Sequence, residues 1–431
     1  MWYKGKFDAY QRTYVIEPDG ISGKYLFYTM LWLLPGLSEK SRGSTIKYLR
    51  LGDIKDTKLH LPAVSEQTRI VEKLEELLSD LDAGVAELKA AQKKLAQYRQ
   101  ALLKAAVEGT LTAEWRAEHA RRGEAGESGA QLLARILTER RARWRAKQLA
   151  KFKEQGKTPP KGWQDKYPEP LQPDTTNLPE LPEGWFYCHL ETLIPSDKTG
   201  TKTGPFGSLL KKHEHKADGI SVIGIENIDR MKFIPGSKIH ISPKKAEDLN
   251  DYDLLPGDVV ISRSGTVGEV CVIPDDLGDA RFSTNIMRVR LERHVMRPEY
   301  FCLLFNGSPS VLSQIRKLCS GSTRDFLNTE ILKTLIFPVP NIIEQNEILT
   351  TLDVALAEIE NQFGVITFSL KQSAAQRKNL LKAAFSGQLV PQDPNDEPAT
   401  LLLERIRAER AGRAATTKAQ RGRKAKVTAH E

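Results

Sequence analysis

With 431 residues the chain is too long for one ordinary domain and long enough for two or three. Hydrophobic residues make up 40% and charged residues 28%, which excludes a wholly disordered chain. A formal charge of +9 suits a polyanionic partner and equally suits a basic protein that has none.

Residues 1–62 contain short apolar phrases that reappear later in the chain. KGKFDAYQRTYVI matches GDARFSTNIMRVRL in pattern, KYLFYTML matches EYFCLLF, and SRGSTIKYL matches SGSTRDFL. On this alignment Met1 corresponds to about residue 276, and the first segment lacks about 90 residues that the second has. The opening MWYKGKFDAY has no apolar centre, so a signal peptide is not expected. No run of about 18 apolar residues occurs anywhere, so no spanning helix is expected.

Residues 63–112 and 341–390 each predict one long helix. With a constant offset of 278, residues 61–112 align to 339–390 without a gap, at 16 identities in 52 positions. Pro62 matches Pro340, Glu66–Gln67 matches Glu344–Gln345, and LLKAAVEG matches LLKAAFSG. This is an internal duplication. Apolar residues recur at alternating steps of four and three. The first copy has Leu74, Leu78, Leu81, Val85, Leu88, Leu95 and Leu102; the second has Leu352, Leu356, Ile359, Phe363, Ile366, Leu370 and Leu380. That is a coiled-coil seam. Pro62 and Pro340 precede the helices, and Gly109 and Gly387 suit their C-terminal ends. A lone seam of this length would stand in water, so the two copies are expected to pack antiparallel on each other. The alternative is that each pairs within a separate oligomer.

Between them, residues 113–182 form a charged helical run and then a Pro-rich connector. Residues 183–340 predict a globular α+β domain, with strand-type runs at 220–225, 258–273 and 286–291 and helical stretches near 298–319. Residues 391–431 form a basic tail, of which 404–431 is expected to fray. The fold class is therefore α+β: a recognition-type domain of mixed strands and helices, joined to two long helices that form an antiparallel coiled coil.

Chemistry-bearing motifs are scarce. There is no Gly-rich nucleotide loop and no [DN]PPY; DPND at 393–396 lacks the aromatic that would flank a flipped base. His213 and His215 make an HxH in a Lys-rich loop, too few ligands for a metal. Cys188, Cys271, Cys302 and Cys319 show no CxxC pair or zinc spacing and read as reduced thiols of a cytoplasmic protein. Ser264 has no assignable His partner, and PGD at 256–258 reads as a turn.

Together these phrases resemble the specificity subunit of type I restriction–modification enzymes. The resemblance is carried by the two helix copies and by TGPFGSLLKK, GIENI, LLPGDVVISRSGTVGEV and SGSTRDFLN, in that order, with LPELPEGW and DPNDEPATLLLERI as entry and exit phrases. It covers nearly the whole chain. It implies two target-recognition domains, the first incomplete here, each followed by a long helix. It also implies double-stranded DNA as ligand, each domain reading half of a bipartite target, and no catalytic residue in this chain. Modification (methyltransferase) subunits would dock on the coiled coil, and a restriction (motor-nuclease) subunit would join through them. S-adenosylmethionine, ATP and Mg would be bound by those partners; no membrane is involved. A coiled-coil scaffold without DNA readout, and a free-standing nuclease or methyltransferase, are the competing classes.

The domain 183–340 has 20 Lys/Arg against 20 Asp/Glu, so its DNA contacts have to be local. Candidates are Lys202, Ser208, Lys211 and Lys212 on the first loop, Asn227, then Arg263, Ser264 and Thr266 on the SRSGT hairpin, and Ser322, Thr323 and Arg324 on the GSTR turn. Arg suits the guanine edge and Asn the adenine edge, while Ser, Thr and Gly-turn amides suit phosphates.

Overall fold

The computed structural model describes all residues except 1–2, 9–12, 44–46, 125–126, 197–198, 207–208, 230, 264–267, 320–326 and 428–431. Helices α1 (Gly23–Glu39) and α2 (Leu51–Lys55) precede the long α3 (Val64–Glu108). After α4 (Ala113–Arg121) and α5 (Gly129–Glu154), strand β1 (Phe186–His189) opens a mixed region. It continues through α6 (Leu190–Leu193), β2 (Thr201–Thr203), β3 (Ile220–Ile223), β4 (Ile228–Asp229), β5 (Lys232–Phe233), β6 (His240–Ile241) and α7 (Pro243–Asp248). Strands β7 (Val259–Ser262), β8 (Val270–Val272), β9 (Ala280–Phe282) and β10 (Ile286–Val289) follow. Then come α8 (Pro298–Gly307), α9 (Pro309–Cys319), α10 (Thr329–Thr334), β11 (Ile336–Val339), the long α11 (Ile342–Phe385) and α12 (Ala399–Val427). The chain forms two compact bodies, residues 96–360 and residues 1–95 with 361–431, so each long helix lends one end to each body.

In the body 96–360, a sheet of order β2-β10-β7-β8 is antiparallel throughout, and a second sheet of order β6-β3-β9 pairs β3 parallel to β9. Every residue of β7 and β10 is buried. Strands covered on both faces read as continuous apolar runs, which is why VVIS and IMRV lack polar alternation. Val260, Cys271, Phe282 and Ile286 centre the core. β1 pairs antiparallel with β11, Phe186 opposite Val339, and this two-stranded ribbon brings residue 186 back beside the start of α11.

In the other body, Tyr25 of α1 and Ile70, Val71, Leu74 and Leu78 of α3 pack with Ala384 and Phe385 at the end of α11. Trp32 stacks on Phe385 at 5.6 Å and Tyr25 meets it edge-on at 5.4 Å. Residues 399–427 form α12, with Leu402 buried and Ile406 packed against Gly20. The likeness of KGKFDAYQRTYVI to GDARFSTNIMRVRL does not extend to structure. The latter becomes the buried strands β9 and β10, whereas Tyr3, Phe7, Tyr14, Val15 and Ile16 are exposed and make no ladder among the described residues. β10 is held between β2 and β7, and the described part of 1–62 offers no such flanking strands.

The long helices run antiparallel. In one body Asp82 of α3 pairs with Arg377 of α11, and Leu74 lies in one cluster with Ala384. In the other, Thr112, just past α3, donates to Glu344 near the start of α11 at 2.7 Å. The expected seam residues are all buried or half-buried; Leu74, Leu78, Leu102, Leu352, Ile359 and Ile366 are the most enclosed. At 45 residues, α3 is about 67 Å long.

Both helices end on a left-handed glycine, Gly109 at φ +76° and Gly387 at φ +73°. Gly387 has open space around it, whereas a Cβ on Gly109 would lie 2.7 Å from Pro182 and 2.8 Å from Trp185. Each helix begins with a buried glutamine. Gln345 donates to Val295 O at 2.8 Å and Pro340 O at 2.9 Å and accepts from Arg297 N at 2.8 Å. Gln67 donates to Pro62 O and accepts from Ser22 N, both at 2.9 Å.

Candidate nucleic-acid interface

The segment between β2 and β3 carries the first group of candidates. Its start is fixed by backbone: Gly204 lies so close to Ser283 that a Cβ would sit 1.9 Å from the Ser283 carbonyl oxygen, and Thr284 Oγ1 donates to Pro205 O at 2.7 Å. Phe206 then projects outward, 54% exposed, and Leu209 is exposed three residues on. Lys211 and Lys212 are exposed; the Lys211 backbone N–H bonds Glu214, which itself pairs with Lys245. Those two lysines are available to phosphates. Lys202 on β2 is more committed. Its ammonium lies 3.0 Å from Asp251 Oδ2 and 5.0 Å from the Tyr252 ring centroid.

Two expected readers are corrected by burial. Asn227 is 1% exposed. Its carbonyl accepts from Gly224 N at 3.0 Å and its amide donates to Ile234 O at 2.9 Å and to Gly236 O. The side chain holds a turn closed and has no free edge for adenine, because a short polar side chain in a tight turn bonds local backbone first. Arg263 is 4% exposed, with its guanidinium 4.8 Å from the Phe206 ring centroid. The Phe206 ring lies over it, so the guanidinium presents no open edge to a base in this arrangement. Ser208, Ser264, Thr266, Ser322, Thr323 and Arg324 lie outside the described residues.

Sequence reasoning passed over Phe206. An exposed aromatic over a cation offers a stacking face to an unpaired or distorted base. Its signal was the phrase GPFG, an aromatic next to a proline and between two glycines. Also missed was the polar floor of the sheet. Arg290 grips Asp258 through two hydrogen bonds of 2.7 Å, and Asp258 also accepts from Leu255 N at 2.8 Å. Arg288, 2% exposed, bonds Asp253 through its backbone oxygen at 2.7 Å and its carboxylate. Hydrogen bonds to Asp258 raise the pKa of the Arg290 guanidinium, while burial lowers that of Arg288. Asp258 is therefore an anchor under the PGD turn.

Cys188, Cys271 and Cys302 are buried free thiols, and burial pushes Cys271 up to about 12, so no thiolate is available near neutral pH. Among the described residues no group of three or more His, Cys, Asp or Glu could hold a metal ion. In DPND, Asp396 is bound by Arg69 and Ser65 rather than facing a pocket.

These observations define a protein whose sheet domain presents loop cations and an aromatic, mounted on an antiparallel helix pair. The type I restriction modification DNA specificity domain matches residues 1–90 and 206–363, more than half of the chain. The chain belongs to that family. It is 46% identical over 117 residues to the type I restriction enzyme EcoDI specificity subunit of Escherichia coli, covering 27% of this chain and 26% of that one. It is 22% identical over 404 residues to the EcoBI specificity subunit of Escherichia coli, covering 92% of this chain and 73% of that one. The chain thus spans about a quarter of the first relative and about three quarters of the second. A solved structure reported under "Structural basis underlying complex assembly and conformational transition of the type I R-M system" shares the fold at a TM-score of 0.54 and 16% identity, over 85% of this chain and 72% of that one. No described helix is long and apolar enough to cross a membrane.

Proposed function

We propose that this chain is a DNA-sequence recognition subunit of a type I restriction–modification assembly, working in the cytoplasm and performing no chemistry itself. Residues 183–340 read one half of a bipartite double-stranded target through the loops around Phe206, Lys211, Lys212 and Arg263. Modification subunits dock along the paired helices α3 and α11, and the restriction subunit joins through them. S-adenosylmethionine, ATP and Mg serve those partners, which supply adenine methylation and ATP-dependent cleavage. The observation that carries this reading is the duplicated helix, fastened at each start by the same glutamine and paired antiparallel with its copy. Such a frame repeats a docking surface at two ends.

The test is selection of bound sequences from a random duplex pool by the full chain, followed by footprinting. One protected sequence-specific block is expected. A pool that stays random after selection would instead favour a coiled-coil scaffold without readout. Co-purification with a modification subunit tests the docking half separately.

A further inference from the structure

The recognition domain 183–340 is electrically balanced, yet the chain carries a net +9. Residues 140–161 hold nine Lys or Arg side chains against the single acid Glu154. This stretch lies outside the matched family regions 1–90 and 206–363. It is also a built feature rather than a loose run. Trp163, in the 3-10 turn Trp163–Lys166, stacks on Trp144 of α5 at 5.8 Å and meets Phe152 edge-on at 5.8 Å, while Tyr167 meets Trp144 at 5.4 Å. An aromatic clasp therefore folds the chain after α5 back onto the helix. Ser128 caps the helix start in a reciprocal box with Gln131, which sets where α5 begins.

Seven of these nine basic side chains fall into two groups. Arg140 donates to Glu191 O at 2.9 Å, Arg141 pairs with Glu169, and Arg143 pairs with Glu292 at 2.8 Å. Arg140 and Arg143 fasten the helix to the domain, and Arg141 fastens it to the connector that follows. Lys151, Lys153, Lys157 and Lys161 are exposed, and none has a carboxylate within ion-pair distance among the described residues. Four unneutralised ammonium groups within eleven residues on a braced hairpin repel one another and gain by meeting a polyanion. Lysine is a flexible point charge suited to phosphate and poorly suited to reading a base edge.

We infer that the α5 hairpin is a sequence-independent clamp on the DNA phosphate backbone, with Lys151, Lys153, Lys157 and Lys161 as its contacts. The inference rests on the DNA-recognition reading above. In it, the neutral sheet domain supplies selectivity and the hairpin supplies phosphate affinity.

The test compares the full chain with a K151Q/K153Q/K157Q/K161Q variant on duplexes longer than the target, across a salt series. Each lost phosphate contact lowers the slope of log affinity against log salt by about 0.9. A slope reduced by roughly 2–4 is expected, with base preference unchanged and affinity for specific and non-specific duplex falling by the same factor. The quadruple Lys→Arg variant should restore the slope. An unchanged melting temperature and Trp fluorescence show that the Trp144–Trp163 clasp is intact. An unchanged slope in a variant that still selects its sequence overturns the clamp alone. An unchanged slope together with loss of modification-subunit co-purification also overturns it and assigns the surface to protein. If the unmodified chain selects no sequence, the recognition reading fails instead, while the slope still reports on the clamp.

Discussion

Gln67 and Gln345, 278 residues apart, occupy the same position in two copies of one helix and make the same two bonds. Each donates its amide to the carbonyl of a proline five residues earlier, Pro62 or Pro340. Each accepts from the backbone N–H of the residue that caps another helix, Ser22 before α1 or Arg297 before α8. The glutamine thus locks a helix start to its own globular region, which gives a physical reason for the EQ pair to recur.

Replacing either glutamine by leucine keeps the volume but strands buried backbone groups, at about 1–3 kcal/mol each. Gln345→Leu, which also loses the bond to Val295 O, should lower the denaturation midpoint more than Gln67→Leu. Urea titration checks the order; equal midpoints would contradict it.

Gly109→Ala and Gly387→Ala should differ although both place alanine at positive φ. At Gly387 the cost is the left-handed conformation alone, about 1 kcal/mol. At Gly109 the new methyl also meets Pro182 and Trp185, so a further 1–3 kcal/mol is expected from overpacking. Differential scanning calorimetry of the two variants reads the gap.

Asp258→Asn should destabilise the body 96–360 by about 3 kcal/mol, because Arg290 loses its two-pronged partner in a half-buried site. Leu255 N retains an acceptor. Amide exchange should rise along β7 and β10 more than along α3. Protection unchanged on those strands would remove Asp258 from the anchor role.

Asp396 titrates below the ordinary carboxylate range because it accepts from Arg69 and Ser65. A depressed folded-state pKa stabilises above the unfolded value, 3.8, and that contribution is lost as pH falls through the folded pKa. The turn before α12 should therefore stay closed at pH 5 and open only below about pH 4. Limited proteolysis near residue 396 across this range, with Asp396→Asn cleaved at every pH, is the check.

The helix pair was legible because a period of alternating fours and threes survives in both copies even where identity has vanished, as between residues 81 and 90. The strands of the sheet domain were legible because doubly covered strands need unbroken apolar runs. Asn227 and Arg263 misled for one reason: residue type announces hydrogen-bonding capacity, but not whether local backbone or an aromatic neighbour has already taken it. Phe206 escaped because an aromatic in a turn reads as core until its exposure is seen. The segment 3–16 has strand-like sequence, and strand formation depends on neighbours that its own residues do not encode.

The fastenings at the two ends of the helix pair have opposite polarity. After α3, Arg116 reaches Glu344 at the start of α11; after α11, Asp396 reaches Arg69 at the start of α3. If α3 met a second α3 head to tail, Arg116 would face Glu66, the counterpart of Glu344, and opposite charges would still meet. If α11 met a second α11, Asp396 would face Glu347, the counterpart of Arg69. Only the α11–α11 pairing sets equal charges against each other at this fastening. Of two helices descended from one sequence, sharing a seam that by itself accepts either partner, the second is thereby kept from pairing with another copy of itself.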